Sequence, residues 1–136
     1  MIRVVGELAD LAWVCDTDDA RRAQFADRFP RARSTASVEE LLADDTVDAV
    51  IVATPVPSHY DLAKQALQAG KHVFVEKPPA MRGEEMEELV ALARSQGRVL
   101  MPGHLLLYHP GVCKLKELVD TGGLGDVLCV YGNRQN

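Results

Sequence analysis

The stretch KHVFVEKPPA, residues 71–80, sets two charged residues at the end of an apolar run. His72-Val73-Phe74-Val75 reads as a strand buried on both faces, yet it stops on Glu76 and Lys77 with Pro78 and Pro79 directly behind. A charged pair that abrupt is either a solvated loop or the working end of a buried sheet. Three further strand ends carry polar groups. Asp16 closes Leu11-Ala12-Trp13-Val14-Cys15, Thr54-Pro55 closes Ala49-Val50-Ile51-Val52-Ala53, and Gly103-His104 follows RVLMP. His109 and Cys113, four apart on a predicted helix, could place two metal ligands on one face. Two ligands without a third read as packing plus a capping group, so no metal site is predicted.

The elements that must position these residues alternate strand and helix. DDARRAQFADRF follows Asp16, with Thr17 or Asp18 as its cap and Pro30 as its stop. ARSTA reads as a short strand, and Ser37-Val38-Glu39-Glu40 has the spacing of a capping box. Ser58 is the predicted cap of a helix running to Ala69, with Gly70 as a left-handed terminator. GEEMEELVALARSQ is the next helix, and Pro110 suits the first turn of HPGVCKLKELVDT, which Gly122-Gly123 ends. Leu105, Leu106 and Leu107 read as core, and GDVLCVYGN as a last strand. Continuously apolar strands joined by helices predict an α/β fold, an open doubly wound parallel sheet with helices on both faces. Ligands gather beyond the carboxyl ends of such strands, which is where Asp16, Thr54-Pro55, Glu76-Lys77 and Gly103-His104 lie.

Composition narrows the partners. The 136 residues are 47% hydrophobic and 26% charged, the profile of a globular domain. Fifteen Lys+Arg against 20 Asp+Glu give a net charge of −5, which argues against nucleic acid and anionic membrane as partners. No apolar run spans a bilayer, and Cys15, Cys113 and Cys129, an odd count without close spacing, read as three buried thiols in a reducing cytoplasm.

A dinucleotide fold opens with a strand, a G-x-G-x-x-G turn and a helix. Gly6 is the only early glycine, and Ile2, Val5 and Leu8 suit the tail of an amphipathic helix. Asp16 falls where the acidic residue after the second strand belongs. The chain is therefore expected to begin inside the first helix, without the strand and glycine turn before it. That strand is central, so two strand edges would lack partners. Each unpaired buried backbone group costs about 1–3 kcal/mol. The isolated chain is expected to be unstable, or its two half-sheets to close directly on each other.

The run DAVIVATPVPSHYDLAKQALQAGKHVFVEKP, followed by ELVALARSQGRVLMPGH, resembles the Gfo/Idh/MocA oxidoreductases, the glucose–fructose oxidoreductase and inositol dehydrogenase family. GHLLLYHPGVCKLKELVDTGGLGDVLCVYGNR is similar to the branch that oxidises nucleotide-linked sugars. The resemblance implies hydride transfer between a sugar hydroxyl and a nicotinamide cofactor, that is, an NAD(P)-dependent sugar dehydrogenase. On it, Lys77 contacts the reacting hydroxyl, and Glu76 orders Lys77 and the cofactor ribose. Asp16 accepts the adenosine ribose hydroxyls and favours NAD over NADP, with Arg21 and Arg22 close by. Thr54 and Pro55 line the cofactor crevice and His59 matches the TP-x-x-x-H histidine. His104, Tyr108, His109, Asn133 and Arg134 fall on the substrate side. The implied domains are residues 1–124, an incomplete NAD(P)-binding Rossmann-like domain, and 125–136, the start of a carboxy-terminal sheet domain.

The implied partner is a small sugar or nucleotide-sugar, the implied parent enzyme a cytoplasmic homo-oligomer. Without the phosphate cradle and the downstream proton acceptor, the chain alone is expected not to turn over. Two other readings stay open: a non-catalytic nucleotide-binding or assembly module that keeps half of the fold, and a different Rossmann-type reductase that carries EKP.

Overall fold

The computed structural model describes residues 9–133. The predicted helix tail at Ile2, Val5 and Leu8, and Arg134, lie outside the described residues. The chain divides into two compact units, one ending at Gly103 and the other starting at His104.

In the first unit the order is β1 (Trp13–Cys15), α1 (Asp19–Arg28), β2 (Arg33–Thr35), α2 (Val38–Leu42), β3 (Ala49–Val52), a 3-10 turn (Val56–Ser58), α3 (His59–Gln68), β4 (His72–Val75), α4 (Gly83–Ser95) and β5 (Leu100–Pro102). All strand pairs are parallel, in two sheets: β1-β2, and β3-β4-β5. Among the described residues β1 and β3 share no ladder, so the half-sheets do not close on each other as the sequence reading allowed. The strands are held instead by their helices.

Register explains the core. Val50, Val73 and Leu100 form one cross-strand row, and Val52, Val75 and Pro102 another. Rows two apart share a face, and this face meets Ala63, Ala66 and Leu67 of α3 with Leu89 and Ala93 of α4 in one buried cluster. The intervening row, Ile51, Phe74 and Met101, points the other way. Ile51 is 38% and Met101 36% exposed, so β3 is not buried on both faces as its apolar run predicts. Within the described residues of the first unit, α3 and α4 cover one face of this sheet.

Local signals act much as read, with two substitutions of partner. Asp18 caps α1, accepting from Ala20 N and Arg21 N at 2.8 and 3.1 Å. Ser37 Oγ accepts from Glu40 N at 3.3 Å, but the Glu40 carboxylate takes the Thr35 hydroxyl at 2.6 Å and leaves the reciprocal half of the capping box to Thr35 Oγ1, which accepts from Ser37 N. Ser58 precedes α3 without capping it: its hydroxyl donates to Pro55 O at 2.8 Å and closes the 3-10 turn. Gly70 ends the helix at φ +72, the left-handed conformation that its missing Cβ allows.

The second unit holds a 3-10 turn (Leu105–Tyr108) and α5 (Pro110–Asp120). Leu105, Leu106 and Leu107 are 71, 58 and 63% exposed within it, not core. Residues 126–133 form no strand, since a strand needs a ladder partner and none is present among the described residues. Cys113 and Cys129 are exposed and Cys15 half-buried, which corrects the reading of three buried thiols. Burial and the adjacent Asp16 raise the Cys15 thiol above its ordinary range.

At the amino ends of β1 and β2, Asp44 gathers donors from three elements. It accepts from Trp13 Nε1 at 2.7 Å, from Thr46 N and Oγ1 at 2.9 and 2.7 Å, and pairs with Arg33, whose guanidinium lies 4.3 Å from the Trp13 ring centroid. The Thr46 hydroxyl, then the Trp13 indole, hold the Asp44 carboxyl well below the usual carboxylate range. A carboxylate so depressed stabilises the fold above its unfolded value, about pH 4, and loses that contribution as pH falls toward its folded value. Asp44→Asn should therefore lower the melting temperature at neutral pH and flatten its decline between about pH 5 and pH 3. Thermal melts across that range test it, and an unchanged acid slope contradicts it.

Candidate functional site

A parallel ladder delivers its carboxyl ends to one edge. In the three-stranded sheet these ends are Ala53-Thr54-Pro55 after β3, Glu76-Lys77 after β4 and Gly103 after β5. Backbone bonds extend the ladder beyond the regular strands: Glu76 N donates to Val52 O at 2.9 Å and Gly103 N to Val75 O at 2.8 Å. Glu76 and Gly103 are thus fixed beside each other at the rim.

Gly103 makes room for Glu76. A Cβ built on Gly103 would lie 3.0 Å from Glu76 Oε2 and 3.4 Å from Phe74 Cζ. The Glu76 carboxylate rests against bare glycine backbone, half-buried, and its Oε2 accepts from Lys77 N at 3.3 Å. Gly103 was read from the sequence only as a strand end. The register Val75 to Pro102 already placed the next residues, Glu76 and Gly103, side by side. Parallel pairing was the signal that could have revealed the contact.

Lys77 is exposed, and its side chain has no hydrogen-bond or ion-pair partner among the described residues. The Lys77–Pro78 peptide is cis. Pro78 and Pro79 carry no amide hydrogen, so the turn offers the body acceptors rather than donors. One acceptor is used: His59 Nδ1 lies 2.8 Å from Pro78 O. The other ring nitrogen, Nε2, lies 2.7 Å from Thr54 O. His59 is 1% exposed, and both its nitrogens are engaged with backbone. It has no polar atom left for a cofactor and reaches the rim only through Thr54 and Pro78, a contact that the sequence did not reveal. Thr54 Oγ1 and Ser58 Oγ stand 2.7 Å apart, exposed, as a hydroxyl pair beside Pro55.

Asp16 ends β1 in the other sheet, its N–H donating to Thr35 O at 3.2 Å. Its Oδ1 accepts from Asp18 N at 2.9 Å, its Oδ2 stands 3.7 Å from Arg21 Nη1, and its carbonyl accepts from Arg22 Nη1 at 2.6 Å. Arg21 is shared with Asp18 at 3.8 Å, while Arg22 also pairs with Asp19. The carboxylate therefore keeps acceptor capacity at a strand end, with one exposed guanidinium near it.

The structure brings Thr54, Pro55, His59, Glu76 and Lys77 together; the contacts of Asp16 are local to β1, β2 and α1. His104, Tyr108 and His109 belong to the second unit. His104 and Tyr108 are exposed there, and His109 caps α5, its Nδ1 accepting from Gly111 N at 3.2 Å. Cys113 Sγ donates to Leu107 O at 3.3 Å rather than turning to His109. Asn133 is exposed and outside any helix or strand.

Comparison with known proteins gives these strand ends a context. Residues 3–104 match the model of the Gfo/Idh/MocA family, described as an oxidoreductase family with an NAD-binding Rossmann fold. The UDP-N-acetylglucosamine 3-dehydrogenase of Acidithiobacillus ferrooxidans is 37% identical over 110 residues, covering 81% of this chain and 34% of that protein. Among solved structures, KijD10, a 3-ketoreductase from Actinomadura kijaniata in complex with NADP and TDP-benzene, superposes with a TM-score of 0.75 at 33% identity, over 85% of this chain and 35% of that one. GenD2 from gentamicin A biosynthesis, in complex with NAD, superposes with a TM-score of 0.78 at 39% identity, over 85% of this chain and 33% of that one. The chain spans about a third of the length of the relatives that it matches. Parallel strands in two small sheets, a polar rim at their carboxyl ends and a family match over most of the sequence lead to one conclusion: the chain belongs to the Gfo/Idh/MocA oxidoreductases and has their NAD-binding Rossmann-type fold.

Proposed function

We propose that this chain is the cofactor half of a nicotinamide-dependent sugar oxidoreductase whose substrate is a nucleotide-linked sugar. The observation that carries the reading is the unpaired Lys77 side chain at the carboxyl rim, beside Glu76 on Gly103 and within one backbone network with Thr54. The sugar-acting relatives support the substrate class. The residues present fit the cofactor. Asp16 has carboxylate oxygens to accept ribose hydroxyls, Thr54 and Ser58 line a polar ledge, and Gly103 gives room at the rim to the Glu76 carboxylate. Bound nicotinamide supplies the hydride acceptor or donor.

The chain's own residues do the rest. Lys77 Nζ donates a hydrogen bond to the carbinol oxygen of the sugar, stabilising negative charge on that oxygen as its carbon is oxidised, while the hydroxyl proton passes to an acceptor elsewhere in the whole enzyme. It also orients the carbon toward the crevice, and positioning alone carries a large share of such a barrier. Glu76 limits where Lys77 goes by holding its backbone N–H. Asp16 favours NAD, because a carboxylate that accepts two hydroxyls repels a 2′-phosphate. Arg21, 68% exposed and divided between Asp16 and Asp18, moderates that preference.

Three substitutions in the whole enzyme test the reading. Lys77→Ala should lower kcat about 10²- to 10⁴-fold while cofactor affinity stays within a few fold; an unchanged kcat refutes the role of Lys77. Asp16→Ser should weaken NAD binding about tenfold or more and bring the NADP and NAD dissociation constants together. Isothermal titration with each cofactor measures this, and an unaltered ratio refutes the assignment of Asp16. Gly103→Ala should displace the Glu76 carboxylate, since the far end of a flexible side chain yields before backbone does. The expected result is weaker cofactor binding with a melting temperature close to that of the parent; unaffected binding would remove Glu76 from the site.

A further inference from the structure

We propose that His59 is a positioning residue for Lys77: its Nδ1–H pins the proline turn by donating to Pro78 O. The inference rests on the catalytic role given to Lys77 for its consequence, but not for its geometry. Between Glu76 and Met81 the chain has few means of attachment. Pro78 and Pro79 have no N–H, and Lys77 N is held at 3.3 Å by the side chain of its own neighbour, Glu76. The next ties to a helix are Met81 N and Arg82 N on Glu85 Oε2, at 3.1 and 3.2 Å. Among the described residues, the bond that reaches from the turn across to α3 is His59 to Pro78 O, at 2.8 Å.

The ring is well placed to hold rather than to react. It is 1% exposed, sits at the first residue of α3, and has a second carbonyl, Thr54 O, 2.7 Å from Nε2. α3 is itself fixed to the sheet through Ala63, Ala66 and Leu67, all fully buried. His59 thus connects a rigid helix to the backbone at two of the three strand ends of the rim. A carbonyl only accepts, so the bond to Pro78 requires hydrogen on Nδ1. Without that bond the Pro78 carbonyl is free and Lys77, immediately before it, loses its anchor. Misplacing a reacting group by about 1 Å costs up to about a hundredfold in rate.

Asparagine and glutamine separate this role from simple burial. The amide of Asn reaches about as far as Nδ1 of histidine, and that of Gln about as far as Nε2. In the whole enzyme, His59→Asn should keep kcat within about threefold, whereas His59→Gln should lower it roughly ten- to hundredfold with the KM for cofactor little changed. Equal losses in the two variants overturn the proposal. Two readouts do not involve catalysis. Ring-nitrogen NMR of the unmutated protein should show Nδ1 of His59 protonated, and a bare Nδ1 overturns the proposal whatever the variants do. Hydrogen exchange in His59→Gln should accelerate about five- to tenfold at Lys77, Ala80 and Met81 while the amides of β4 and α4 keep their protection. Equal acceleration everywhere marks a merely structural residue and overturns it. If Lys77→Ala proves harmless but these two readouts hold, the catalytic reading fails and the pin stands.

Discussion

Parallel pairing of β3, β4 and β5 is the constraint from which the rest of the structure follows. Parallel strands send every carboxyl end to the same edge, so polar residues that are far apart in sequence, Thr54, Glu76 and Gly103, become neighbours without any direct attraction between them. The crossovers this requires, α3 and α4, bring the apolar surface that stabilises the ladder. Leu67 and Leu89 are fully buried between helix and sheet, and each strand contributes valine or leucine to the same cluster. Burying one such side chain is worth about 1.5–3 kcal/mol. The rim is therefore held from behind by the core, and the Lys77 side chain is left without a partner among the described residues.

The rim is also held by backbone more than by charge. Two of its carbonyls lie within hydrogen-bond distance of one buried imidazole, and two of its amides continue the ladder past the last regular residues. Ion pairs elsewhere are on the surface, such as Lys64–Glu88 at 2.6 Å, which links α3 to α4 with Tyr60 OH donating to the same glutamate at 2.5 Å. Exposed pairs of this kind contribute little to stability. The Lys77 ammonium itself takes part in no ion pair among the described residues, although the Glu76 carboxylate holds its backbone N–H.

Much of this was legible in the sequence. The valine-rich runs at residues 49–53 and 72–75, the stop signals behind them and the glycine after α3 located the strands and the helix between them. The same runs misled about burial, because a continuous apolar run means coverage on both faces only when elements exist to cover both. Here Ile51 and Met101 lie on the face of the sheet opposite α3 and α4, and are exposed. Leu105–Leu107 and residues 126–133 failed for a related reason: apolar composition reports a capacity for burial, and a partner has to realise it. Ser58 had the residue type of a cap, but the prolines at 55 and 57 favour a 3-10 turn that claims its hydroxyl first. His59 was legible as a motif residue but not as a bridge, since both its partners are main-chain oxygens and carry no mark in the sequence.

Asp16 shows how position and chemistry divide between local and global structure. Its place at the end of β1 follows from the strand, but its surroundings are made by the next six residues: Asp18 N on one oxygen, Arg21 near the other, Arg22 on its carbonyl. A turn that holds the backbone with one arginine and leaves the other exposed fixes where the carboxylate sits. The carboxylate then faces a solvent-exposed positive charge 3.7 Å away, which screening weakens. The strand end places Asp16, and the first turn of α1 sets the charge around it.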